Sequence, residues 1–315
     1  MRFYMGDRKK GITLVLIATT FWGMMGINSR TLSLAGLSAM DIAFIRCSIA
    51  GVLFTIYMLI RKPEELKQKL SGILVGCLYG VVCFVLGFMT YNVSVERVPI
   101  SVATVLMFTN PIWVSIFGAV VFKDKMTKKK VLVICMCIVG CICISDVMST
   151  GGANLDVIGI AAGLINGMTF AMQIIIPRFF EGKYSKDAIL VYGFISSTVV
   201  LSFFTDFSNI AAAVTGPNSM VVIANMLAIS VLSTFIASTF YVKSTEYIET
   251  QVTSILVSLE PILGSIFAFF IFGETMSQTQ LLGAAIVILA ACVLETDLSK
   301  ITEKIMPPFS SKQIK

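Results

Sequence analysis

Glu260 carries the most evident chemistry in the chain. It stands in the middle of a long apolar run, directly before Pro261. An ionised carboxylate is costly in hydrocarbon, so a Glu at this depth needs a cavity or a partner. It could bind a substrate ammonium, carry a coupling proton or pair with Arg46, a guanidinium a few residues into another apolar run. Arg46 could itself anchor an anionic substrate group, pair with Asp41 or snorkel to the surface. Asn110 precedes Pro111 just as Glu260 precedes Pro261, 150 positions earlier. Each proline removes an intrahelical hydrogen bond, so it should kink its helix and free the carbonyl of Met107 or Val257. Asn166, Thr169, Phe170 and Gln173 share one helix face at i, i+3/i+4, i+7 spacing. Trp22, Trp113, Tyr91 and Tyr241 add aromatic surface with polar tips; for Trp22 and the tyrosines an interfacial belt or a packing role is the alternative. Together these groups would line an amphipathic cavity for a small solute.

Other chemistries are poorly supplied. The chain has no His and its carboxylates are scattered. A catalytic constellation is therefore missing, and the chain does not read as an enzyme. All eight cysteines fall inside apolar runs. Cys135, Cys137, Cys141 and Cys143 cluster, but Asp146 is the one carboxylate near them. They read as small apolar helix residues rather than as metal ligands or disulfides. No nucleotide-binding motif is present, and no cofactor or metal is expected. The net charge of +6 comes from Lys and Arg spread over many loops, which does not suggest nucleic acid.

The elements that position these residues are read from the apolar runs. Hydrophobic residues make up 57% and charged residues 13% of the chain, against about 25% charged in soluble domains. Charges cluster between apolar runs of about 20 residues, the length that crosses a bilayer. The chain therefore reads as an all-α integral membrane protein. Ten runs are expected to span: 11–31, 41–60, 71–92, 99–122, 131–146, 157–177, 187–206, 220–242, 251–272 and 280–295, the fifth and tenth being short. The first run reads as a span rather than a cleaved leader, although Ser33-Leu34-Ala35 loosely resembles a cleavage site. Glycines four apart, at Gly72, Gly76 and Gly80 and at Gly159, Gly163 and Gly167, mark close helix contacts within the bundle.

An internal repeat organises the runs. Residues 91–132 align without a gap on the segment 150 positions later, with thirteen identities that include Tyr91/Tyr241, Glu96/Glu246, Pro111/Pro261 and Phe122/Phe272. This divides the chain into five-helix units at 1–150 and 151–297 and a C-terminal tail at 298–315. With the N-terminus inside, 21 of the 24 Lys and Arg fall on inside segments and only Arg30 and Arg97 on outside loops. Both termini are then cytoplasmic. Five spans per unit means that the second unit enters from the opposite side. The five lysines of 123–130 have no counterpart in 273–280, as an inverted-topology repeat requires.

The Ala18-Thr19-Thr20-Phe21-Trp22-Gly23 run, the Arg in Phe44-Ile45-Arg46, the Pro111/Pro261 pair and Phe270-Ile271-Phe272-Gly273-Glu274 followed by Leu282-Gly283-Ala284-Ala285 resemble the EamA family of the drug/metabolite transporter superfamily. The resemblance covers nearly the whole chain. In the first unit Lys123-Asp124 stands where the family favours Gly-Glu. The resemblance implies a basket-like bundle with a central cavity lined by spans one, three, four, six, eight and nine. It also implies export of amino acids or similar amphipathic solutes. The expectation is a multi-pass protein of the bacterial cytoplasmic membrane that moves a small molecule by alternating access. Its partners are the solute and the lipid bilayer, with coupling to a proton or other ion gradient as a further expectation. A passive channel or a membrane receptor for a small solute is the alternative.

Overall fold

A computed structural model describes residues 5–98, 100–144, 156–273 and 277–295. The expected unit boundary at 150/151, the tail 298–315, Asp146 and Glu274 lie outside the described residues. Every described element is helical, with no strand among the described residues. In an apolar surround the α-helix satisfies its own backbone hydrogen bonds, which is why apolar runs of this length adopt it. The main helices are α1 (Met5–Leu34), α2 (Ala39–Arg61), α3 (Leu70–Arg97), α4 (Ile100–Met107 and Asn110–Phe122), α5 (Lys128–Ile144), α6 (Val157–Phe179), α7 (Lys186–Phe204), α8 (Ser219–Ser244), α9 (Thr250–Val257 and Glu260–Phe272) and α10 (Gln278–Glu295). Eight candidate spans are long and apolar enough to cross a membrane, α5 and the apolar part of α10 being shorter. Large apolar side chains such as Ile60, Leu74, Val120, Phe270 and Leu282 cover the outside of the bundle, a surface suited to lipid and not to water.

The ends of the helices follow their capping residues. Ser38 and Asp41 form a capping box at the start of α2, which satisfies two otherwise orphaned N–H groups. Asp156 caps α6 by accepting from the N–H groups of Ile158 and Gly159 at 2.7 and 3.1 Å. The Gly159 N–H, then that of Ile158, with Arg97 alongside, holds the Asp156 carboxyl below its ordinary pKa.

Three backbone features recur at the 150-residue offset of the sequence repeat. α4 breaks after Met107 and α9 after Val257. Left-handed C-caps follow at Lys123 (φ 57°) and Gly273 (φ 69°); at the first of these a lysine accepts a conformation that glycine adopts freely. π-helical turns occupy Val81–Val85 in α3 and Ala228–Ile236 in α8. The breaks correct the sequence expectation of simple kinks. Asn110-Pro111 and Glu260-Pro261 open new helices, with proline in the first turn where its missing N–H costs nothing. Around the first break, the carbonyl of Leu106 accepts from the Thr109 hydroxyl at 2.6 Å and the Thr109 N–H at 3.2 Å.

Packing crosses between the two halves of the chain. The second half of α3 packs on α6, the first half of α3 on α7, α2 on α7 and α8, and α1 on α8 and α9. α5 and α10 pack together, so closely that a Cβ on Gly283 would fall 2.6 Å from the Gly140 carbonyl oxygen. Phe84 stacks on Phe194 with ring centroids 4.6 Å apart, and Phe54 meets Phe235 edge-on at 4.7 Å. The connections separate into two ends. At one end Lys62 pairs with Asp187 (2.7 Å), Lys130 with Glu249 (2.5 Å) and Arg178 with Asp124 (2.6 Å). Lys10 lies there over the Tyr247 ring. At the other end Arg97 meets Asp156 at 3.4 Å, and Asp41 accepts the Asp206 N–H at 2.8 Å.

The α3–α7 contact makes a direct test. A Cβ on Gly80 would collide with the Gly193 carbonyl oxygen and the Ser196 hydroxyl, whereas one on Gly26 meets nothing within 4 Å. Gly80→Ala is expected to cost about 1–3 kcal/mol through overpacking. Gly26→Ala is expected to leave stability unchanged or raised. Thermal unfolding of the detergent-purified variants measures both.

Candidate functional site

A cavity of about 620 Å³ occupies the middle of the bundle. It reaches the surface at the Arg97–Asp156 end, where its lining residues Arg30, Ser33 and Ala39 are exposed. Its walls come from α1, α2, α3, α4, α6, α8 and α9, so the repeat crossings described above place both halves of the chain around it. Trp22, Arg46, Asn166, Gln173, Glu260 and Pro261 line it, as do Thr169 and Phe170.

The two charges deep in the cavity are held differently. The Arg46 Nε donates to the Thr234 hydroxyl at 3.0 Å, and its guanidinium lies 5.0 Å from the centre of the Phe88 ring. Thr234 is presented by the π turn of α8, where its hydroxyl also donates to the Ile229 carbonyl five residues back. Asp41 is not the partner of Arg46; its oxygens accept backbone N–H groups of Ser38 and Asp206. Glu260, 9% exposed, opens the second half of α9. It lines the same cavity as Arg46, yet the two form no ion pair within 4.0 Å among the described residues. A guanidinium and a carboxyl group therefore face the same space without pairing by contact.

The amide groups have their own supports. The Asn166 Nδ2 donates to the Gly87 carbonyl at 2.7 Å and ties α6 to α3, while its Oδ1 has no protein partner. Trp22 meets Tyr241 edge-on at 4.9 Å and Phe170 at 5.4 Å; Phe170 stacks over Tyr241 at 6.1 Å. Trp22 and Phe170 form the floor of the cavity, with Tyr241 packed beneath them.

Four of the expected site residues lie elsewhere. Asn110, Pro111, Trp113 and Tyr241 do not line the cavity. Asn110 is fully buried, and neither of its amide atoms has a protein partner. Pro111 is buried beside it. The Trp113 indole donates to the Thr109 hydroxyl at 3.2 Å and packs against the core. Tyr241 is fully buried under the floor, and its hydroxyl has no protein partner. Conversely, the walls include Ser29, Phe88, Thr234 and Ser238, which the sequence did not single out. The signal for Thr234 and Ser238 is weak: hydroxyls in an apolar run commonly bond back to their own helix. Among the described residues no cluster of three His, Cys, Asp or Glu could hold a metal.

Apolar helices assembled around a largely apolar cavity that holds a few polar groups and opens at one end suit a multi-pass integral membrane protein of the transporter class. The chain belongs to the EamA-like transporter family, whose sequence model matches it twice, at residues 9–146 and 157–296. It is similar to an uncharacterized transporter of Clostridium kluyveri, 24% identical over 90% of this chain and 93% of that one. It is also similar to the uncharacterized inner membrane transporter YicL of Salmonella typhimurium, 20% identical over 93% and 97% of the two chains. A protein of known crystal structure shares the fold, with a TM-score of 0.75 at 13% identity over 94% of this chain and 99% of that one. A bacterial inner membrane fits these relatives, and their names are those of transporters and not of enzymes.

Thr234 is the support of Arg46 that can be removed most cleanly. Thr234→Val keeps the shape and deletes the acceptor, which for a charged donor is expected to cost about 1.5–3 kcal/mol. Thr234→Ser should retain most of that stability. Thermal unfolding of the two variants side by side measures the difference.

Proposed function

We propose that the protein is a secondary carrier that moves a small amphipathic solute, an amino acid or a molecule of similar polarity, by alternating access. The observation that carries this reading is the cavity, which is open at one end, sealed at the other, and faced by Arg46 and Glu260 without an ion pair between them. A dipolar solute fits that arrangement: its anionic group meets Arg46, its cationic group meets Glu260, and Trp22 and Phe170 cover its apolar part. Asn166 and Gln173 supply neutral polar contacts at the side.

The membrane arrangement proposed with it has ten spans, both termini in the cytoplasm and two inverted five-helix units, 1–150 and 151–297. Its support is threefold: the charge distribution of the loops, the backbone features repeated 150 residues apart, and the exchange of packing partners between halves. The sealed, lysine-bearing end is then cytoplasmic and the cavity faces outward. Flux is proposed to run as export, driven by a gradient. Glu260 is proposed to carry the coupling proton, because it is the one carboxyl group among the described residues of the cavity wall.

The test begins with thermal-shift screening of the purified protein against amino acids, amines, carboxylates and nucleosides. The solute that stabilises it is then used, labelled, in proteoliposomes under a controlled pH gradient. Saturable counterflow is expected of a carrier, whereas flux without saturation or counterflow would make it a channel. Glu260→Gln is expected to abolish the response to the pH gradient. If that variant follows the gradient as the parent does, the proton role is wrong.

A further inference from the structure

Below the floor of the cavity lies a seam of buried polar groups that the fold does not satisfy. Asn110, Ser254 and Ser258 are each fully buried, and Gln251 is 1% exposed. Neither amide atom of Asn110 or Gln251 and neither serine hydroxyl has a protein hydrogen-bond partner. The Cys137 thiol lies beside Ser258 without making a bond of ordinary geometry. The seam runs along the contact between the second half of α4 and the first half of α9. At its end away from the cavity Gln251 and Asp124 both crowd Gly118, at 3.1 and 2.9 Å from where its Cβ would stand. There Arg178 closes the bundle with two hydrogen bonds to Asp124, at 2.6 and 2.8 Å, and one to Thr250 at 2.8 Å, its guanidinium 4.1 Å from the centre of the Phe122 ring.

Buried polar groups are ordinarily paired, and each one left unpaired costs stability. These are not scattered at random. Displaced by 150 positions, all but Gln251 coincide with the walls of the open cavity, and the buried Tyr241 does so too: Asn110 corresponds to Glu260, Ser254 to Thr104, Ser258 to Phe108 and Tyr241 to Tyr91. On the open side Tyr91 and Thr104 both face the cavity. On the closed side the hydroxyls of Tyr241 and Ser254 have no protein partner.

We propose that this seam is the closed form of a second vestibule. Asn110, Tyr241, Ser254, Ser258 and Gln251 become its walls when α4 and α9 part, and the Arg178–Asp124–Thr250 contact is the latch that holds it shut. The proposal rests on the alternating-access reading. It adds the residues that solute and water touch on the second side, and it explains buried polar groups that packing leaves unpaired.

Site-directed thiol labelling separates the two ideas. Thr104→Cys and Ser254→Cys are made in the full chain and exposed to a membrane-impermeant maleimide from either face of oriented proteoliposomes. Peptide mass spectrometry distinguishes the new thiol from the eight native cysteines. Thr104→Cys is expected to label from one face and Ser254→Cys from the other. Adding Asp124→Asn should raise labelling of Ser254→Cys about tenfold, the factor that corresponds to about 1.4 kcal/mol, and lower that of Thr104→Cys. Absence of labelling at Ser254→Cys in both backgrounds, or labelling from the Thr104 face, overturns the vestibule even if the protein still shows counterflow. Labelling from opposite faces without the reciprocal change keeps the vestibule and overturns alternation. If Ser254→Cys does not fold, Ser258→Cys gives the same readout.

Discussion

A polar group inside an apolar bundle must find either a partner or an aqueous space, and this constraint organises the protein. Glu260 could have been neutralised by Arg46, since the two belong to one cavity. Instead Arg46 is held back by Thr234 and Phe88. The π turn of α8 is what presents Thr234 at that position. A π turn shifts the side-chain register of its helix and is found often at functional sites. The corresponding turn of α3 contributes Cys83 and Phe84 to the opposite wall. The cavity is thus polar at its charges and apolar between them because two helices depart from regular geometry where they border it.

The repeat makes this asymmetry informative. The same breaks, caps and π turns occur in both units, so the backbone is used twice. The side chains are not. A carboxylate stands at the start of the second half of α9, and an amide at the matching position of α4. Were both positions acidic, opening either side would expose a charge, and closing it would bury one at the cost of several kcal/mol. With Asn110 on the sealed side, the position buried there holds a neutral amide. On the open side the matching carboxyl group borders the cavity.

Much of this was legible in the sequence, for physical reasons. Apolar runs, their repeat and the loop charges declare themselves because hydrocarbon tolerates little else. Glu260, Arg46, Asn166 and Gln173 stood out as polar groups at depth, and all four line the cavity. Asn110, Trp113 and Tyr241 stood out by the same rule and do not line it. Sequence marks a residue as polar and deep; it does not say which half of a repeated bundle is open. The prolines announced a disturbance but not its form, because a kink and a fresh helix start both suit Pro111 and Pro261. The π turns carry no compositional mark at all. Thr234 and Ser238 therefore could not be told from hydroxyls that merely bond back to their own helix.

The sealed end is held by contacts of moderate strength. The side chains of Arg178 and Asp124 are 24% and 23% exposed. Their pairing is bidentate and backed by Phe122, but water screens it, so its strength lies between that of a surface pair and that of a buried one. The edge-on and stacked contacts of Trp22, Phe170 and Tyr241 add about 0.5–1.5 kcal/mol each beyond burial. Against them stand Asn110, Gln251, Ser254 and Ser258, whose polar atoms have no protein partner. Each of those costs about 1–3 kcal/mol while it stays unpaired. Opposing terms of this kind are what the proposed opening of the seam calls for, because a bound ligand can shift a population only between states a few kcal/mol apart. A seam packed wholly with leucine and valine would close more firmly and lose that balance. Unpaired polar groups opposite a partly exposed ion pair are what a reversible closure requires.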